Sequence, residues 1–151
     1  MKSPIRVVLN PVAGNGRARS EAAPVTRRLR ELGAEFEIVR TLAPGHATEL
    51  AREFAAKEAD GVVAVLGGDG TVHEVVQALG ASGGRGVLAF IPGGGGNDAR
   101  RTIGSPNDVF AAVEVAAAGA EKRLDLGRFA GRMQGLIGRS GALLARAAWE
   151  G

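Results

Sequence analysis

The chain has 151 residues, is 45% hydrophobic and contains no cysteine; this size fits one domain with a real core and leaves no room for a second full one. Disulfides and thiolate metal sites are excluded, and no apolar run approaches the roughly 20 residues of a membrane span. Residues 1–127 hold 15 Lys/Arg and 15 Asp/Glu, whereas residues 128–151 hold four Arg and one Glu, so a neutral globular part carries a basic tail whose aromatics are only Phe129 and Trp149, which argues against a nucleic-acid partner.

Met1-Lys2-Ser3-Pro4 leads into a strand pattern rather than a signal peptide, and a cytoplasmic protein is expected. Ile5 to Leu9 reads as a first strand. Asn10-Pro11-Val12-Ala13-Gly14-Asn15-Gly16 is a turn-rich loop, followed by a helix with Ala22, Val25, Leu29 and Leu32 on one face and Gly33 at its C-terminal cap. Glu35 to Arg40 alternates around Phe36 and Ile38 as a second strand. After the Pro44-Gly45 turn, Ala47, Leu50, Ala51 and Phe54 mark a second helix. Gly61 to Leu66 is a central strand, and Thr71 opens a helix whose apolar face is Val72, Val75, Val76 and Leu79. Val87 to Ile91 forms a fourth strand. Ser105-Pro106 has the form of a helix start, with Val109, Ala112, Val113 and Ala116 as the buried stripe. Arg123 to Gly127 adds a last strand. This alternation predicts an α/β fold of three layers, a mostly parallel sheet with helices on both faces. Beyond Gly127 the pattern changes, with Gly131, Gly135, Gly138 and Gly141 spaced through Arg and Ala, no clear strand alternation, and a short helix expected over Leu143 to Trp149.

Two glycine signatures close apolar runs: Gly67-Gly68-Asp69-Gly70-Thr71 and Pro92-Gly93-Gly94-Gly95-Gly96-Asn97-Asp98. With the Asn10 to Gly16 loop they should meet at the carboxyl edge of the sheet, where open α/β sheets bind ligands. Glycines there let the main chain approach a ligand closely, so successive N–H groups converge on phosphate oxygens. A carboxylate inside such a loop would repel bare phosphate, so Asp69 points to Mg²⁺, an ordered water or a hydroxyl to be activated. The dinucleotide fingerprint fails after the first strand: Gly14 and Gly16 fit, Arg19 does not, and no acidic residue closes the second strand.

Read together, Asn10-Pro11…Gly14, Gly45-His46-Ala47, Gly67-Gly68-Asp69-Gly70-Thr71 and Pro92…Gly96-Asn97-Asp98 resemble the catalytic domain of the diacylglycerol kinase family, over roughly residues 5 to 127. The resemblance implies an ATP- and Mg²⁺-using lipid kinase. Asn10, Pro11, Gly14 and Thr41 would hold the nucleotide, Gly67, Gly68, Asp69, Gly70 and Thr71 would line the phosphates, and Gly95, Gly96 and Asn97 would complete the site. Asp69 is the expected catalytic carboxylate, and no resident metal ligand set is assigned. The acceptor implied is a lipid with a free hydroxyl, met at a membrane surface by a peripherally associated protein, and a homodimer is allowed. Two departures stand out. Gly95 occupies a position where the family usually has Thr, removing a hydroxyl whose neutral hydrogen bond is worth about 0.5–1.5 kcal/mol. The family continues after the strand matching Leu124-Asp125-Leu126-Gly127 into a β-rich second domain that residues 128–151 do not resemble, so the expectation is an ATP-binding domain over residues 1–127, a tail over 128–151, and a shortened or frame-altered kinase.

Plainer roles compete at several positions. Thr71 and Glu74 have the spacing of a capping box, Asn97 and Asp98 of a helix cap, and Asp69 of an ordinary turn residue. His46 fits a cap as well as a nucleotide contact, His73 reads as a surface residue, and Arg100 and Arg101 as a solvated face. Among functions, the rivals are a nucleotide-binding module without catalysis, an NAD-kinase-like small-molecule kinase, and a self-associating fragment with exposed apolar surface.

Overall fold

The computed structural model describes residues 2–93, 98–129, 132–137 and 143–148. In chain order they form β1 (Ile5–Leu9), a 3-10 turn (Ala13–Gly16), α1 (Arg17–Glu31), β2 (Phe36–Arg40), α2 (His46–Lys57), β3 (Val62–Gly67), α3 (Asp69–Ala81), β4 (Val87–Pro92), α4 (Asp98–Ile103), α5 (Val109–Ala118), β5 (Glu121–Phe129), β6 (Arg132–Ile137) and β7 (Leu143–Ala148). The described strands make one sheet in the order β2-β1-β3-β4-β7-β5-β6. β1 runs parallel to β2 and β3, β3 to β4, and β4 to β7. β5 is antiparallel to both β6 and β7. The expected α/β fold with a mostly parallel, helix-covered sheet is present.

Alternation along the strands divides the core into two layers. Val8, Val63, Val65, Leu88 and Phe90 pack with residues of α2, α3 and α4. Ile5, Val7, Leu9, Ala64, Leu66, Ala89 and Ile91 pack with residues of α1 and α5. Covering both faces is what makes β1, β3 and β4 continuous apolar runs rather than alternating ones. The predicted stripe of α3 is fully inside, with Val72, Val75, Val76 and Leu79 all buried, each worth about 1.5–3 kcal/mol of transfer free energy. α1 ends as its sequence predicts: Gly33, at φ 68°, donates to Arg30 O and Ala34 to Leu29 O, the paired bonds of a Schellman motif.

The amino end of the sheet is closed by a buried cation. Arg6 lies 8% exposed; its Nε donates to Glu37 Oε1 at 2.7 Å and Nη1 to Leu50 O at 3.2 Å, while Glu53 lies 3.5 Å away and the Phe54 ring centroid 5.2 Å. A hydrogen bond from Lys57 and the charge of Arg6 hold the Glu53 carboxyl below its ordinary range.

Two local readings are corrected. Ser105 does not cap α5: it is buried with its hydroxyl donating to Phe90 O at 2.9 Å, and Asp108 is the cap, accepting from Ala111 N at 2.9 Å. Ser105 thus fastens the connection to β4, and the helix starts three residues later, where a carboxylate meets the free N–H groups. The second correction falls in the tail, where Leu143–Ala148 is the strand β7 and not a helix, and Arg132–Ile137 is the strand β6. β7 occupies the slot between β4 and β5. Its Arg146 donates to Asp60 Oδ1 at 2.9 Å, Ala59 O at 2.7 Å and Glu121 Oε1 at 3.3 Å, tying it to the turn before β3 and to β5.

Candidate functional site

The chain steps from β1 outward to β2, returns across β1 to β3, and continues to β4, so the strand order reverses between β1 and β3. In open α/β sheets that reversal opens a crevice beyond the carboxyl ends of the strands. A cleft of about 660 Å³ lies there, lined by Asn10 to Gly14 after β1, Thr41 to Pro44 after β2, and Gly68 to Thr71 with Glu74 at the start of α3.

A side-chain bond spans the reversal. Asn10 continues the β1–β3 ladder by donating its N–H to Leu66 O, then turns: its Oδ1 accepts from Val12 N at 3.3 Å and its Nδ2 donates to Thr71 Oγ1 at 3.2 Å. The network fixes the amide's orientation, and Thr71 is 4% exposed. Gly67 makes this meeting possible, because a Cβ there would stand 3.1 Å from Thr71 Oγ1 and 3.4 Å from Asn10 Cβ. Gly93, which donates to Gly67 O at 3.1 Å, is tighter still: a Cβ would lie 2.9 Å from Ala18 Cβ and 3.0 Å from Ala18 Cα.

Gly70 is different, since among the described residues nothing lies within 4 Å of the position its Cβ would take. Packing does not call for glycine here, and a helix prefers alanine. The open space belongs to the cleft. The N-cap of α3, Gly68, makes no side-chain capping bond, and the first helical bond runs from Val72 N to Gly68 O. The N–H groups of Asp69, Gly70 and Thr71 therefore lie ahead of the helical ladder, at the positive end of a 13-residue helix, the arrangement that receives anions.

The two acidic residues reach away from their own helix. Asp69 accepts from Ala99 N at 3.2 Å and Asp98 N at 3.4 Å, so its carboxylate holds the amino end of α4 while the residue also lines the cleft. Glu74 accepts from Gly45 N at 2.7 Å, which replaces the expected capping box with Thr71: α3 begins at Asp69, and Glu74 serves α2. His46, the first residue of α2, accepts from Leu42 N on Nδ1 at 3.0 Å. His73 is exposed, as expected. Arg100, expected on a solvated face, turns partly inward and donates to Ser105 O at 3.3 Å.

Of the residues predicted from sequence, Asn10, Pro11, Gly14, Thr41, Gly68, Asp69, Gly70 and Thr71 line this one cleft, with Gly67 packed directly beneath Thr71 and Asn10. Gly95, Gly96 and Asn97 lie outside the described residues. Sequence reading missed Leu42, Ala43, Pro44 and the cross-helix role of Glu74; the Pro-Gly turn before α2 was the available signal.

The sequence model of the diacylglycerol kinase catalytic domain matches residues 4–129. The chain belongs to that family. It is 34% identical over 128 residues to the diacylglycerol kinase of Bacillus subtilis strain 168, covering 84% of this chain and 42% of that protein. With the diacylglycerol kinase of Staphylococcus aureus strain bovine RF122 / ET3-1 it shares 33% identity over 132 residues, again 42% of the relative. A crystal structure of a diacylglycerol kinase from Bacillus anthracis matches with a TM-score of 0.76 at 31% identity, over 87% of this chain and 44% of that one. The chain therefore spans less than half the length of these relatives. What it shares with them is the kinase family domain, whose strands place the cleft. Among the described residues no helix is long and apolar enough to cross a membrane.

Proposed function

We propose that this kinase domain binds Mg·ATP in the cleft between β1 and β3 and transfers the γ-phosphoryl group to a lipid hydroxyl of the diacylglycerol type. The observation that carries the reading is the open glycine at position 70, set in the first turn of α3 beside the Asn10–Thr71 bond. There the N–H groups of the first turn of α3, which lie ahead of the helical ladder, receive phosphate oxygens, with no side chain of the described residues in the way at Gly70. Val12 and Leu42, 78% and 84% exposed, line the same cleft and supply apolar surface for the nucleobase to cover.

Mg²⁺ fits as a partner of the nucleotide. Among the described residues no group of three or more His, Cys, Asp or Glu is arranged to hold a metal, and Mg²⁺ is commonly held by one or two carboxylates together with substrate phosphates. The nucleotide's own phosphates would supply most of its ligands, with Asp69 beside them as the cleft's catalytic carboxylate. Bound by the nucleotide's phosphates, the ion would neutralise their charge. In the transfer, the lipid oxygen forms a bond to the γ-phosphorus, the bond to the β,γ-bridging oxygen breaks to release ADP, and Asp69, facing the cleft beside the ion rather than ligating it, takes the hydroxyl proton.

The test is the thermal unfolding midpoint with and without Mg·ATP, with Mg·NAD as control, followed by phosphate incorporation into diacylglycerol micelles. A ligand that binds only the folded state stabilises it, by about 2.7 kcal/mol at a hundredfold excess over Kd. A rise specific to ATP is expected. No shift at millimolar ATP in a cooperatively folding sample overturns the binding claim. Binding without transfer reduces the function to nucleotide binding.

A further inference from the structure

Glu74 sits in the cleft lining, where a carboxylate is a poor neighbour for phosphate, yet its side chain is engaged elsewhere. Its Oε1 accepts from Gly45 N at 2.7 Å, and its main-chain carbonyl accepts from Thr48 Oγ1 at 2.8 Å. Gly45 is the N-cap of α2, has φ 87° and makes no side-chain capping bond. It ends the segment Thr41–Gly45, whose first four residues form one wall of the cleft. The other end of that segment is held too: Thr41 donates to Leu9 O at 2.9 Å, and Leu42 donates to His46 Nδ1 at 3.0 Å. Leu42, Ala43, Pro44 and Gly45 are all exposed and Ala43 O accepts from His46 N at 3.1 Å, so hydrogen bonds rather than packing fix their shape.

We infer that Glu74 is a positioning residue for nucleotide binding: by anchoring Gly45 it holds the exposed wall from Thr41 to Pro44 at the distance from α3 that a bound nucleotide requires. This rests on the reading of the cleft as a nucleotide site. The hydrogen bond joins the helix that would receive the phosphates to the loop that would face the base and sugar, so it sets the width of the cleft directly. A carboxylate accepting a main-chain N–H is a strong, charge-assisted bond, and at the amino end of α2 it also meets the favourable end of the helix dipole. A purely structural role, pinning α2 to α3, is shared with Thr48, and that sharing supplies the control.

The experiment measures Mg·ATP affinity by titration calorimetry, together with hydrogen exchange of the free protein, for the full chain and for Glu74→Ala, Glu74→Gln and Thr48→Val. Glu74→Ala is expected to weaken Mg·ATP binding about five- to tenfold and to speed exchange at Leu42 to Gly45. Glu74→Gln retains an acceptor oxygen and removes the charge near phosphate, so its affinity should equal or exceed that of the unaltered chain. Thr48→Val loosens the helix pair without touching the wall and should leave affinity unchanged. Affinity unchanged in Glu74→Ala, or lowered equally in Thr48→Val, overturns the assignment while leaving the nucleotide site intact. If the unaltered chain binds no Mg·ATP, the nucleotide site and this assignment fall together.

Discussion

The end of β3 and the first turn of α3 lie side by side, and both are rich in glycine for opposite reasons. At Gly67, and at its neighbour Gly93 after β4, the missing side chain is replaced by protein: Thr71, Asn10, Ala18 and Leu66 already occupy the space. At Gly70 no described residue fills the place of the missing side chain. The first kind of glycine lets the molecule fold, and the second keeps part of its surface clear.

Substitutions can break or sharpen that contrast. Gly93→Ala should have the largest effect on stability, about 3 kcal/mol or more, because its new methyl meets the backbone of α1 at Ala18 and cannot be relieved by a rotamer change; urea midpoints measure it, and a loss below about 1 kcal/mol would contradict the packing argument. Gly67→Ala should cost about 1–2 kcal/mol, since Thr71 can swing aside at the expense of its bond to Asn10, and Mg·ATP affinity should fall with it. Asp69→Ala should cost about 1 kcal/mol by uncapping α4. Asp69→Asn retains one acceptor oxygen and should fold almost normally while failing in phosphoryl transfer, which a lipid phosphorylation assay would reveal. Gly70→Ala should have the smallest effect on folding, between no change and a gain of about 1 kcal/mol, yet lower Mg·ATP affinity at least tenfold. Unchanged affinity in Gly70→Ala would mean that the open space is not a ligand's.

The parallel half of the sheet was legible because each element there obeys a local rule: Ile5–Leu9 has the bounds its sequence predicts, and Gly33 ends α1 as expected. The cleft was legible for a similar reason, since its residues cluster at strand ends. Reading failed where a partner lies far along the chain. Thr71 and Glu74 match a capping box by spacing, but Glu74 reaches Gly45, 29 residues away, and Asp69 reaches Ala99, 30 residues away; neither bond leaves a local trace. Leu143–Ala148 is built from Leu, Ala and Arg, all good helix formers, and the open edge of β4 overrides that preference by offering main-chain partners. Ser105-Pro106 misled for a third reason, as a buried carbonyl at Phe90 claimed the hydroxyl first.

The place of β7 has a consequence for how the sheet is assembled. β7, the last of the described strands in chain order, is an interior one, and among the described strands it is the one that joins the parallel strands to the β5–β6 hairpin. Until residues 143–148 arrive, β4 presents an unpaired edge and the hairpin has no seat, so the sheet closes late and through contacts of long sequence separation. Arg146, which clips β7 to Asp60 and Glu121 at once, then acts as the fastener of a seam, and a chain caught before that step would carry a sticky strand edge into the crowded solution around it.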